Sequence, residues 1–168
     1  MKSIFVLFVS ILFASCVTPF EPTISEKFDD FEQRKFVNLN ANDLSMQNSD
    51  ERVLFDMYAS IGNSDTSYYL KLYYYADDWI FIDESNPATL IIDGQKTNIQ
   101  SATDVKNEVQ ENGRIREIIT IPTDKSFIKT IANSNYIKIR LNGKYVYDAT
   151  FKQVNLSAVR DFCRRMRI

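Results

Sequence analysis

Short runs in which apolar and polar side chains alternate, each closed by turn-forming residues, decide what this chain can become. In residues 136–141, Ile137, Ile139 and Leu141 oppose Tyr136, Lys138 and Arg140, which is the period of a strand with one face in a core. Asn142-Gly143 then leads into residues 144–151, where Tyr145, Tyr147, Ala149 and Phe151 share a face. Asn-Gly between extended runs signals a hairpin because the turn requires positive φ, and this is the clearest hairpin the sequence predicts. Asp93-Gly94 plays the same part between residues 89–92 and 96–99. Residues 53–59, 68–76 and 79–82 read as a meander, the last following Asp77-Asp78. Residues 114–121 alternate Ile115, Glu117 and Ile119 against Arg116, Ile118 and Thr120 until Pro122 ends the run.

Two segments switch to helical spacing. Thr123-Asp124 caps a short helix in which Phe127, Ile128 and Ile131 recur at helical intervals, ending near Asn133-Ser134-Asn135. From Asn155, read as the N-cap, Leu156, Val159, Phe162, Cys163 and Met166 form one apolar face. Cys163 is therefore expected in the core. The fold class is α+β: an antiparallel sheet of about six to eight strands, packed by one or two helices, the last at the C-terminus. A chain of 168 residues supports one such domain, placed at residues 52–168.

Composition narrows the chemistry. Lys and Arg number 20 against 22 Asp and Glu, a net charge of −2, so no surface built to neutralise phosphates, and no nucleic acid partner, is expected. There is no histidine, which removes Ser-His-Asp and Cys-His catalysis and imidazole zinc sites. Neither a glycine-rich nucleotide fingerprint nor a phosphate-binding loop is present. No cofactor and no metal are expected.

The first residues, MKSIFVLFVSILFASC, differ from the rest: Lys2 is their only charge, and residues 4–14 are apolar apart from Ser10. A positive start, an apolar stretch of 7–15 residues and small residues before a cleavage point make up an export signal. The stretch is too short to span a bilayer, which takes about 20 apolar residues. Leu12-Phe13-Ala14-Ser15-Cys16 resembles the lipobox of bacterial lipoproteins, with Phe13 standing where that family usually has Leu. The resemblance covers the export segment alone and implies cleavage after residue 15, diacylglycerol on Cys16 and anchoring in the cell envelope. The anchor would sit in the outer membrane or on the outer face of the cytoplasmic membrane. Two or three acyl chains hold a protein on a bilayer where one does not. With Cys16 acylated, Cys163 has no partner for an intramolecular disulfide.

Residues 16–51 read as the lipidated N-terminus followed by an acidic tether and lead-in segment. Ser25, Phe28, Phe31 and Phe36 allow a short aromatic-striped helix, whereas residues 36–40 alternate as a strand does; both stay open.

Three constellations could carry function. The first is the aromatic run of residues 68–75, which places Tyr69, Lys71, Tyr73 and Tyr75 on one strand face, with Trp79 close behind. Such a ladder offers rigid area and hydroxyls to a protein, peptide or glycan, or it is ordinary cross-strand packing. The second is the pair of acidic dipeptides Asp77-Asp78 and Asp83-Glu84, which a tight hairpin would bring together as in a hydrolase or calcium site; adjacent carboxylates in turns are also plain turn formers. The third is Arg160, Arg164, Arg165 and Arg167 with Lys152, fitting an anion or the solvated face of the last helix. Together these favour a non-enzymatic envelope binding or accessory module. An envelope assembly factor and a small carboxylate-dependent hydrolase are the alternatives.

Overall fold

The computed structural model describes residues 21–44, 50–99 and 102–168. The expected leader and the lipidation site Cys16 lie outside the described residues. Those described form β1 (Thr23–Asp29), β2 (Arg34–Asn40), β3 (Arg52–Ile61), β4 (Thr66–Ala76), β5 (Ala88–Ile92), β6 (Gln95–Asn98), β7 (Asp104–Val109), β8 (Ile115–Thr123), α1 (Lys125–Asn133), β9 (Ile137–Leu141), β10 (Tyr147–Thr150) and α2 (Gln153–Met166). The strands make two antiparallel sheets, one of six in the order β1-β2-β3-β4-β8-β7 and one of four in the order β10-β9-β5-β6. The class is α+β as the periodicity predicts, with the last helix at the C-terminus.

The strands exceed the six to eight expected and divide between two sheets. β1 and β2 fall inside the segment read as tether, so the folded part begins well before residue 52. The open choice there falls to strand, because Val37 and Leu39 point into the core opposite Ala59 and Met57. β7 is an edge strand with no buried residue, so the period that reveals half-buried strands is missing from it.

One hydrophobic core is closed between the sheets. Phe55, Met57, Leu70, Leu72, Ile119 and Ile121 of the large sheet are buried with Leu90, Ile139 and Leu141 of the small one. Each such side chain contributes roughly 1.5–3 kcal/mol. Aromatic edges seal the join: Phe55 meets Phe151 at 4.9 Å, and Tyr74 meets Tyr147 at 5.5 Å. Beside them α2 inserts Leu156, Val159, Phe162 and Cys163, all buried, and packs against α1, β2 and β1. Burial pushes the Cys163 thiol up to about 11, leaving it an inert apolar group.

Side chains fix the helix ends. Asp124 caps α1 by accepting the Phe127 N–H at 2.8 Å. In α2 the cap falls at Lys152, before the expected Asn155. Asn155 acts from the first turn instead: its Oδ1 accepts the Lys152 N–H at 2.8 Å, and its Nδ2 donates to Asn42 Oδ1 and to the Asp43 carbonyl. Arg160 donates to the carbonyls of Ala132 and Ser134 at 2.9 and 2.7 Å, binding α2 to the end of α1.

Two expectations fail where the chain crosses between sheets. Residues 79–82 are not a strand; the only ladder contact there is an isolated bridge from Ile82 to Gly143. The cause is Glu117, almost fully buried on the inner face of β8. Its Oε1 accepts the N–H groups of Ile80 and Phe81 at 2.7 and 3.1 Å, and its Oε2 that of Ile82 at 2.8 Å. Folding the backbone around one carboxylate puts Phe81 at φ +51°, outside the extended region. Asn142-Gly143 is likewise no two-residue turn, since the β9–β10 ladder resumes only at Tyr147 opposite Leu141. Gly143 is needed for close approach: a β-carbon there would stand 2.4 Å from the Ile80 carbonyl oxygen. The Asp93-Gly94 turn does form as expected, with φ of +47° and +87°.

Candidate interaction surface

The outer face of the six-stranded sheet carries no helix or second sheet among the described residues, and its register places the aromatic run in a grid. Across β3, β4 and β8 the rows read Tyr58–Tyr69–Pro122, Asp56–Lys71–Thr120, Leu54–Tyr73–Ile118 and Arg52–Tyr75–Arg116. Tyr69, Lys71, Tyr73 and Tyr75 share this face as the strand period predicts and are half-buried, while Leu70, Leu72, Tyr74 and Ala76 face the core.

Neighbouring strands extend the ladder. Phe36 of β2 stacks on Tyr58 at 5.6 Å, and Tyr58 lies 5.7 Å from Tyr69. Tyr73 and Tyr75 stack at 6.2 Å and 13°. Two cations cover rings: Lys71 Nζ stands 5.7 Å from the Tyr58 centroid, and the Arg116 guanidinium 6.0 Å from that of Tyr75. Burial pushes the Tyr73 phenol up to about 12, so it stays protonated and able to donate. Phe36, Tyr58, Tyr69, Lys71, Arg34 and Thr120 help line a shallow groove of about 680 Å³.

Ion pairs rim the face. Arg34 grips Asp65 through both terminal nitrogens at 3.0 and 2.9 Å and donates its Nε to Ser60 Oγ at 2.7 Å. That guanidinium holds the Asp65 carboxyl below its ordinary range. Arg116 pairs with Glu108, Nε to Oε2 at 3.0 Å.

Sequence reasoning missed Asp56, buried at 7% exposure in the middle of this face. The chain folds over it at residues 41–42, and Oδ1 accepts the Asn42 N–H at 3.0 Å. Burial raises its carboxyl to about 6, against the pull of those backbone donors and of Lys71 across the ladder. The available signal was an acidic residue inside the apolar run of residues 53–59. With that loop over it, the carboxyl works as a joint, not as an exposed base.

The other sequence candidates lie elsewhere. Trp79 is not on the ladder; it follows β4 and stacks on Phe81 at 6.1 Å, beside a separate recess of about 490 Å³. Asp77, Asp78, Asp83 and Glu84 are exposed and do not converge, because the expected tight hairpin is absent: Asp77 faces Arg114 at 3.5 Å, and Asp83 caps Ser85. Among the described residues no cluster of side chains could hold a metal ion. The basic tail is largely spent on internal contacts, Arg160 on α1, Arg164 on Asp161 and Arg165 on Glu26. No helix among the described residues is long and apolar enough to cross a membrane. Compared with known proteins, the chain matches no family model, no curated sequence and no solved structure.

Proposed function

We propose that this chain is a lipid-anchored protein of a bacterial envelope, and that its folded part is a non-enzymatic module which docks another protein on the outer face of the six-stranded sheet. One observation carries the docking reading: Phe36, Tyr58, Tyr69, Tyr73 and Tyr75 stand half-buried on a face that the described residues cover only around Asp56. Tyrosine and arginine are the side chains that concentrate binding energy in protein interfaces, because they combine large area with polar ends. The face is broad and gently contoured, with ion pairs at its margin, which suits a protein surface better than a single small ligand. The anchor rests on the lipobox resemblance around Cys16.

Two variants test the reading. Cys16→Ala should abolish incorporation of labelled palmitate and release the protein from membranes; continued labelling would remove Cys16 from its role. In the anchored chain, Tyr69→Ser with Tyr73→Ser should lose partners recovered from envelope extracts, whereas Lys138→Ser on the small sheet should keep them. Equal recovery by both variants contradicts docking through this face, and release by free glycan would make the partner a saccharide instead.

A further inference from the structure

The recess beside Trp79 presents a second exposed apolar surface, distinct from the ladder. Phe81, Tyr145 and Val146 are 54%, 59% and 60% exposed at its rim, with Trp79 stacked behind Phe81 and Lys144 Nζ 5.3 Å from the Tyr145 ring centroid. Isolated exposed apolar groups need no explanation, but here three gather on two adjoining loops. The loops are tied to each other and to β8. Glu117 holds three successive N–H groups of residues 80–82, and Lys144 N–H donates to the Ile80 carbonyl at 2.7 Å. Gly143 packs so closely on residues 80–81 that no side chain fits between. These contacts hold Phe81 at positive φ, and its ring stands outward.

The direction of the chain says what covers this surface. β1 runs antiparallel to β4 across the large sheet, so its first residue, Thr23, stands toward the end at which β4 delivers residues 77–83. Through the registers Thr23↔Asn40, Leu39↔Met57 and Met57↔Leu70, Thr23 is level with Lys71, about 17 Å short of Ala76 along the strand. Residues 16–22 reach at most about 24 Å when extended. A lipid on Cys16 can therefore come level with the loop tips and little beyond. If the tips pointed away from the bilayer, that short tether would have to double back along the molecule.

We propose that Phe81, Tyr145 and Val146, backed by Trp79, form a tip that dips into the interface of the membrane carrying the anchor, an inference that rests on acylation of Cys16. Aromatic rings and a snorkelling lysine are the groups that settle at the headgroup level. Exposed Asp77 and Asp78 beside the tip disfavour a strongly anionic surface, so the occupant is a zwitterionic lipid interface. The contact orients the domain on the bilayer, leaving the ladder free.

Trp79 is the chain's only tryptophan, so its fluorescence reports this site alone. The acylated full-length protein is reconstituted into phosphatidylcholine vesicles, with and without brominated acyl chains, and Cys16 acylation is read by mass spectrometry. The expected result is a shift of Trp79 emission to shorter wavelength and strong quenching by brominated lipid. Both should be lost in an acylated Phe81→Ser, Tyr145→Ser variant, or in Val146→Asp should the double variant fail to fold. An acylated, vesicle-bound protein with unshifted, unquenched emission overturns the tip contact while leaving the anchor standing. Absence of an acyl group on Cys16 overturns both, and the mass spectrum identifies the anchor as the part that failed.

Discussion

The outer faces of the two sheets follow the same strand period and come to opposite ends. On the four-stranded sheet, Arg140 and Lys138 both bind Asp148, at 2.7 and 3.0 Å, and Thr89 bonds Asn98 across the ladder. These charges are paired with one another. On the six-stranded sheet the equivalent positions carry Phe36, Tyr58, Tyr69, Tyr73 and Tyr75, whose rings only partly cover one another. Alternation decides which residues face outward, and their identity decides whether the face is finished. An unfinished face of large rigid rings has area that another surface can bury.

The largest effect is expected at a group that belongs to neither outer face and holds the crossover between the two sheets. Glu117→Gln keeps size but replaces one acceptor oxygen by a donor facing buried N–H groups, and should cost about 2–4 kcal/mol in urea unfolding. A cost below about 1 kcal/mol would mean that the inner carboxylate does not hold the crossover.

Asp56 comes next, because it joins the ladder to the loop above it. Its folded value near 6 lies above the ordinary carboxylate range, so the folded state binds the proton more tightly than the unfolded one. Its stabilising contribution is then full below about pH 4 and is lost as pH rises through about 6. Asp56→Asn should flatten that dependence, which in the unaltered chain amounts to about 1–3 kcal/mol between about pH 4 and 7. Parallel pH curves would show that the carboxyl is not desolvated.

On the unfinished face itself, Tyr73→Ser should cost only about 1 kcal/mol, since its ring is not part of the core. A loss as large as that of a buried leucine, about 3 kcal/mol, would make the ladder a structural layer and erase the contrast. The smallest effect belongs to the finished face. Hydrogen bonds from Arg140, then Lys138, hold Asp148 down to about 2. Its contribution is present above the ordinary carboxylate value and lost as pH falls through about 2, and because the pair is part-exposed Asp148→Asn should cost under about 1 kcal/mol.

Much of the fold was legible because it obeys local rules. The runs at Val53, Leu70, Ile115 and Ile137 alternate because one face of each strand is buried, and the Asp93-Gly94 turn and the Asp124 cap rest on backbone demands that only a few residues meet. The ladder face followed from the same period, which put Tyr69, Lys71, Tyr73 and Tyr75 together. What escaped depended on distant partners. Trp79 to Ile82 have the composition of a strand, but Glu117, far along the chain, claims their N–H groups. Asn142-Gly143 promised a tight turn, but Gly143 serves a close approach to Ile80. Phe36 and Tyr58 joined the ladder through pairings of β2 with β3 and of β3 with β4 that no short window contains.

The docking claim is tested most directly by covalent labelling of tyrosine in intact envelopes and in the purified protein, with each site quantified by mass spectrometry. Tyr136, exposed and next to β9 of the other sheet, serves as the reference. The account predicts that Tyr69, Tyr73 and Tyr75 are labelled several-fold less, relative to Tyr136, in the envelope than after purification. Unchanged ratios would contradict it, showing the outer face of the six-stranded sheet to be as bare in place as it is alone.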